Sequence, residues 1–336
     1  MQPDLLGDTM FKYLIRKTLG WLLMIFLATN IAYFLAATFL DPRSNYIGRR
    51  PPLSNDQINA MLEPYNLSPE TPLLERWWTW LTNILLHWDW GRSPVGDFVN
   101  DQISYRIWVS AQLLLLSTIL SIVIGVAVGV YTASHQYKWG DRVWQGISIV
   151  AMNTHVVVAS IVVVAIALWI NEATGSRIFY VVGASSLGVE GFANKLLDAL
   201  QHLILPTISL VFISYAGYHM TQRTLLLDNL NADYVRTARA KGLTRQQAIR
   251  KHALRTSIIP VATSVAFSVP GIFTGAVMTE RIFGWNGMGQ YFLETISKND
   301  INGAVGVAAF GAAMTAVSAV LADLVVVALD PRVRVS

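Results

Sequence analysis

DYVRTARAKGLTRQQAIRKHALR, residues 233–255, is the most charged and least apolar part of a chain that is otherwise mostly greasy. Read locally, it is two short helices with a break. Tyr234, Val235 and Ala238 mark one helical face, and Gly242 stands where a helix would end in a left-handed residue that glycine adopts cheaply. A second helix begins at once. The Thr244 oxygen can accept from the Gln247 N–H, the Gln247 side chain can reach back, and Leu243 can pack on Ala248 as a hydrophobic staple. Arg236, Arg239, Lys241, Arg245, Arg250, Lys251 and Arg255 cover the outside. In a soluble protein such a basic helix-turn-helix would suggest a nucleic-acid reader. The flanks decide otherwise: residues 199–222 and 256–279 carry no charge, and each is long enough to cross a hydrocarbon core, which takes about 20 residues. The stretch is a loop between two membrane spans, and nucleic acid is not its partner.

The rest of the chain fits an integral membrane protein. Hydrophobic residues make up 53% and charged ones 14%, with a mean hydropathy of +0.44, far from the balance of a soluble domain. There is no cysteine, hence no disulfide, thiolate metal site or cysteine nucleophile. Six charge-free runs follow one another, at 18–40, 107–137, 143–171, 199–222, 256–279 and 301–322, and they predict an all-α protein with six transmembrane helices. Lys12, Arg16 and Lys17 precede the first run as they would in a signal peptide, whose apolar region is only about 7–15 residues; an uncleaved span is the better reading. Placing the N-terminus inside gathers these three, Lys138, Arg142, the eight Lys and Arg from Arg223 to Arg255, Arg332 and Arg334 into short inner segments, while the longer outer ones hold ten. By the positive-inside rule both termini are cytoplasmic.

This divides the chain into an N-terminal segment and first span (1–40), an outer segment (41–106), a five-span core (107–329) that contains the inner loop (223–257), and a cytoplasmic tail (330–336). The outer segment starts rich in Pro, Ser and Asn and reads as irregular. It then carries Trp77, Trp78, Trp80, Trp88 and Trp90, which suits a helix lying at the membrane interface, with a docking surface for an external partner as the alternative. Gly125 and Gly129 form a Gly-x-x-x-Gly pair that lets helices approach closely, and the small residues of the sixth run place that helix centrally. Gly284, Gly287 and Gly289 predict a compact outer loop.

Prolines interrupt the fourth run at Pro206 and the fifth at Pro260 and Pro270, and such breaks can kink a helix or line a cavity. Ser209, Tyr215, Tyr218, Ser264, Ser268 and Pro270 are the candidates for a translocation path; the alternative for the serines is a hydrogen bond to their own helix. None of the seven lysines follows a glycine, so a Walker A phosphate loop is excluded, and hydrolase signatures are missing. No Asp, Glu, Lys or Arg lies within the six runs, which weighs against an ion-coupled carrier. His155 and His219 read as satisfied packing residues, and Asp323 as a solvated group at the inner end of the last span. What remains is a channel-like protein without an engine, and the basic inner loop is where one would attach.

These residues resemble a known family. RTARAKG (236–242) followed by HAL (252–254) is similar to the cytoplasmic EAA loop of binding-protein-dependent ABC importer permeases, with Arg236, Thr237 and Ala238 at the Glu-Ala-Ala positions and Gly242 at the glycine. DYVRTARAKGL, HALRTSIIPV, HLILPTISL, ERIFGWNGMGQ and LDPRVR resemble the oligopeptide and dipeptide branch in its order and spacing. MNTHVVVASI (152–161) lacks the proline usual there. The resemblance implies type I importer architecture in a prokaryotic inner membrane. Its implied partners are a second homologous permease, one or two ABC ATPase subunits that use ATP, an external solute-binding protein, and lipid. This chain itself would bind no cofactor and catalyse nothing. Arg236, Thr237, Ala238, Ala240, Lys241, Gly242, Leu243, Thr244 and Arg245 would form the coupling element. Peptides are the implied cargo; nickel, glutathione or another small solute is the alternative within the branch, and an autonomous channel or secondary carrier the alternative outside it.

Overall fold

The structure is a computed structural model that describes residues 4–268, 271 and 276–329. Pro270, Arg332, Arg334 and the tail at 330–336 lie outside the described residues. Long apolar runs become long helices: α1 (Asp4–Phe39), α4 (Val99–Ser134), α6 (Val156–Thr174), α7 (Phe192–Leu230), which carries Pro206 inside it, and α13 (Ile301–Leu329). Among the described residues, five segments are long and apolar enough to cross a membrane, namely Arg16–Phe39, Val99–Ser134, Val156–Thr174, Phe192–Leu230 and Ile301–Asp323. The expected span at 256–279 begins as α10 (Leu254–Phe267) and ends in α11 (Val277–Ile282), with part of it outside the described residues.

The third run departs from expectation. It is two helices, α5 (Trp139–Asn153) and α6, separated by extended backbone at Thr154 (φ −90°, ψ 125°) and His155 (φ −70°, ψ 143°). No proline is needed for this break. The His155 ring caps α6 by accepting from the Val157 N–H at 3.3 Å, while Asn153 and Thr154 donate to the carbonyls of Ile149 and Val150 at 2.7 and 2.8 Å. Side chains thus satisfy backbone groups that a continuous helix would have paired.

The outer segment also differs from the irregular chain expected at its start. Ser54 and Gln57 form a reciprocal capping box that opens α2 (Asn55–Leu62), and α3 (Leu73–His87) follows. Tyr46, Ile58, Leu62, Leu67 and Trp80 of this cap pack with Tyr33 of α1 and with Ile301 and Val305 of α13. The tryptophans therefore split, with Trp80 buried in the cap core while Trp78 and Trp88 remain exposed.

In the bundle, α4 crosses α7 at the two glycines. A Cβ on Gly125 would lie 2.6 Å from the Tyr215 carbonyl oxygen, and one on Gly129 would lie 2.9 Å from that of His219, so only glycine permits this approach. α13 packs on α1 and α10, with its N-terminal half buried. Asp323 towards its C-terminal end is not merely solvated; it forms an ion pair with Lys17 of α1.

Candidate functional site

The inner loop forms two short helices set against the ends of the long ones. α8 (Asp233–Ala240) ends where Gly242 turns left-handed at φ +96°. The Gly242 N–H donates to the Arg239 carbonyl at 3.0 Å and the Leu243 N–H to that of Ala238 at 3.3 Å, the paired bonds of a Schellman turn. α9 (Arg245–Ala248) starts with the expected capping box: Thr244 Oγ1 accepts from the Gln247 N–H at 3.3 Å, and Gln247 Oε1 from the Thr244 N–H at 3.0 Å. A π-helical turn at Ile249–Ala253 then leads into α10. That turn carries no signal in the sequence.

Burial sorts the loop into two faces. Val235, Ala238, Ala248, Ile249 and Ala253 pack against Ala133 of α4 and Leu226 of α7, with Leu243 against the same cluster. Arg236, Thr237, Ala240, Lys241, Gly242, Thr244 and Arg245 are exposed. Of the nine candidate coupling residues, Ala238 alone is buried; its small side chain serves the seat of the loop on the bundle. The exposed residues form a rigid, basic, capped knob at one end of the apolar bundle, with its shape set by backbone bonds.

Above this knob runs a polar seam that the sequence reading missed. Arg223, next after the fourth run, donates from Nε and Nη2 to the two carboxylate oxygens of Asp141 at 2.8 and 3.0 Å. Asp141 is buried, and also accepts from the Tyr137 N–H at 2.9 Å and the Gln145 amide at 2.7 Å. One turn of α7 away, His219 is fully buried, with Nε2 3.0 Å from Thr132 Oγ1 and Nδ1 2.6 Å from Ser148 Oγ. Ser148 in turn contacts the Tyr215 hydroxyl at 3.3 Å. Both ring nitrogens are used, as a packing histidine requires. The seam stitches α4, α5 and α7 together. Its signal in the sequence is slight: one acid and one base at the inner ends of neighbouring apolar runs.

The path candidates scatter. Tyr215 joins the seam and Tyr218 is half-buried. Ser209 is buried and donates to the Leu205 carbonyl at 3.1 Å. Ser264 is exposed and bonds Pro260 at 3.0 Å, while Ser268 bonds Val265 at 2.7 Å. Pro270 lies outside the described residues. Each serine is thus satisfied within its own helix.

At the far end of the bundle, the ERIFGWNGMGQ stretch, which leads into α12 (Met288–Ser297), is compact, as its glycines imply. Glu280 is buried and accepts from Ser110 Oγ at 2.6 Å and the Gln290 N–H at 3.0 Å. Phe283, Trp285 and Met288 of the same stretch are buried as well.

The profile of the family described as "Binding-protein-dependent transport system inner membrane component" matches residues 125–335. Among characterised proteins, the chain is 38% identical to the oligopeptide transport system permease protein OppB of Mycobacterium tuberculosis (strain ATCC 25618 / H37Rv), over 97% of this chain and 100% of the relative. It is 29% identical to the oligopeptide permease protein AppB of Bacillus subtilis (strain 168) and 27% identical to the dipeptide permease protein DppB of Lactococcus lactis subsp. cremoris (strain MG1363), each over 97% of this chain and all of the relative.

Proposed function

The chain belongs to the binding-protein-dependent transport system inner membrane component family, and from that premise we propose that it is the permease subunit of an ATP-driven peptide importer in the cell membrane. It forms half of the translocation path with a second, homologous permease. Oligopeptides or dipeptides arrive from an external binding protein, and ATP is bound and hydrolysed by one or two separate ATPase subunits. The span begun by α10 completes a six-helix, type I bundle with both termini in the cytoplasm.

The observation that carries the coupling role is the two-faced inner loop. One face is fixed on α4 and α7, and the other is exposed in a shape held by a Schellman turn and a capping box. A rigid element held this way passes a push from a docked ATPase into the spans, as alternating access requires. Arg236, Lys241 and Arg245 supply polar contacts around the close approach at Ala240 and Gly242.

The absence of native cysteine gives a clean test. Ala240→Cys, in the assembled transporter, is expected to cross-link to a cysteine placed in the ATPase groove, and Ala240→Arg to abolish peptide uptake. Failure to cross-link, together with normal uptake by Ala240→Arg, overturns the docking role.

A further inference from the structure

Between α1, α3, α4 and α13 lies a cavity of about 550 Å³, within the roughly 300–1,000 Å³ of small-molecule sites. Its walls are apolar almost throughout, and among the described residues no Asp, Glu, Lys or Arg lines it. Nothing there could neutralise the ends of a peptide. It is also too small for a helix of another subunit, which is about 10 Å across. Water alone does not account for it, since a buried water needs two to four polar partners and most of the wall is apolar.

The position of the cavity names a better occupant. Its walls on α1 and α13 belong to the membrane-crossing segments Arg16–Phe39 and Ile301–Asp323, so it opens at hydrocarbon depth. At the mouth, Leu22, Phe26, Leu85 and Trp88 are exposed, whereas Leu81 and Ala309 at the floor are buried. α3, with its tryptophans, roofs it, as befits the boundary between hydrocarbon and headgroups. Two polar groups remain on that side: Thr29 and Trp80 line the cavity, are 8% and 3% exposed, and their Oγ1 and Nε1 have no hydrogen-bond partner among the described residues. Buried donors left in this state are costly.

We propose that this cavity is a lipid site, which takes one acyl chain of a phospholipid from the leaflet beside the tryptophan-rich cap. An acyl chain is apolar along its length and carries an ester carbonyl at one end. The chain fills the space between α1 and α4, and small side-chain rotations bring the Thr29 hydroxyl and Trp80 indole N–H to the ester. The lipid thereby fastens α1 and the outer cap to the bundle, a role separate from the inner coupling loop.

The test uses the assembled transporter in nanodiscs of phosphatidylethanolamine and phosphatidylglycerol that contain phosphatidylglycerol with a diazirine on one acyl chain. After irradiation, peptide mapping is expected to find label concentrated in residues 22–30, 80–88 and 306–313, above the level on the surface-exposed α6. Ala313→Trp fills the cavity from α13 and is expected to remove that excess while the label on α6 stays. Thr29→Val, isosteric and free of overpacking, is expected to reduce the excess as well and guards against misassembly of the larger variant. Label spread evenly over these segments and α6, label unchanged in both variants, or label excluded from the cavity by a neighbouring permease overturns the proposal.

Discussion

Gly242→Val isolates what the inner loop contributes. A Cβ at Gly242 would meet no atom within 4 Å, so crowding plays no part. The cost comes from the backbone: at φ +96° an L-residue is disfavoured by roughly 1–2 kcal/mol, and a β-branched one is a genuine outlier. The buried residues from Val235 to Ala253 hold the loop on α4 and α7. The strain is therefore relieved locally, by loss of the Gly242 and Leu243 turn bonds and a shift of Ala240 and Lys241. Membrane insertion and the amount of assembled protein should be unchanged. Peptide uptake and binding-protein-stimulated ATP hydrolysis in proteoliposomes should both collapse. Gly242→Asn supplies the control, because asparagine tolerates the left-handed region several-fold better than other residues and should retain most activity. Full uptake by Gly242→Val would refute the reasoning. Loss in Asn equal to that in Val would refute it too, by showing that any side chain there blocks the partner.

Arg223→Ala removes one partner of an ion pair whose other member, Asp141, is 1% exposed. Leaving a buried carboxylate uncompensated costs roughly 3–5 kcal/mol, so the unfolding temperature should drop sharply, and the double change Asp141→Asn with Arg223→Gln should recover much of it; equal damage in both would show that the pair contributes little. Just before α13, Asp300 is 2% exposed beside Asp97, Arg106, Tyr291, Glu294 and Lys298, and desolvation pushes its carboxyl up from 3.8 to about 6 against the Gly303 N–H that lowers it. A raised carboxyl contributes stability in its protonated form, in full below 3.8 and lost as pH rises through about 6, which amounts to roughly 3 kcal/mol. Thermal unfolding in nanodiscs should thus occur at a higher temperature near pH 5 than near pH 7, and Asp300→Asn should flatten the difference; an undiminished slope in the variant would assign it to another group.

What could be read from the sequence was local or compositional. Gly242, Thr244 and Gln247 announced their turn and cap because the groups that bond lie within five residues of each other. The apolar runs announced spans, and Gly125 with Gly129 announced a close crossing, because four residues make about one turn and bring both onto one face. The Asp141–Arg223 pair stayed hidden because its members are 82 residues apart; only the docking of α5 on α7 joins them. The break at Thr154 and His155 was hidden for another reason. The charge-free run continues across it with no proline, and the cap of α6 is a histidine ring rather than a Ser, Thr, Asp or Asn side chain. The seat of Ala238 was half legible: it shares a face with Val235, and that face turned out to be the one against the bundle.

The arrangement of these parts limits how a push at the inner loop can travel. The loop's buried face is continuous with Ala133 of α4 and Leu226 of α7. α4 cannot slide on α7 without separating Gly125 and Gly129 from the backbone they touch, and α5 is tied to α7 by Asp141, Ser148 and the contact of Ala151 with Tyr215 and Ala216. Packed, hydrogen-bonded elements of this sort move as one body, because interiors are dense and deform little. The first place along α5 where the chain leaves that body is three residues beyond Ala151, at the extended pair Thr154 and His155. Backbone there is held by side-chain bonds, which exchange partners at less cost than a helical ladder. On the proposed coupling role, motion that enters at Gly242 meets a stiff three-helix unit first and a hinge-capable break second. The polar seam gives the unit its stiffness, and the histidine cap marks its edge.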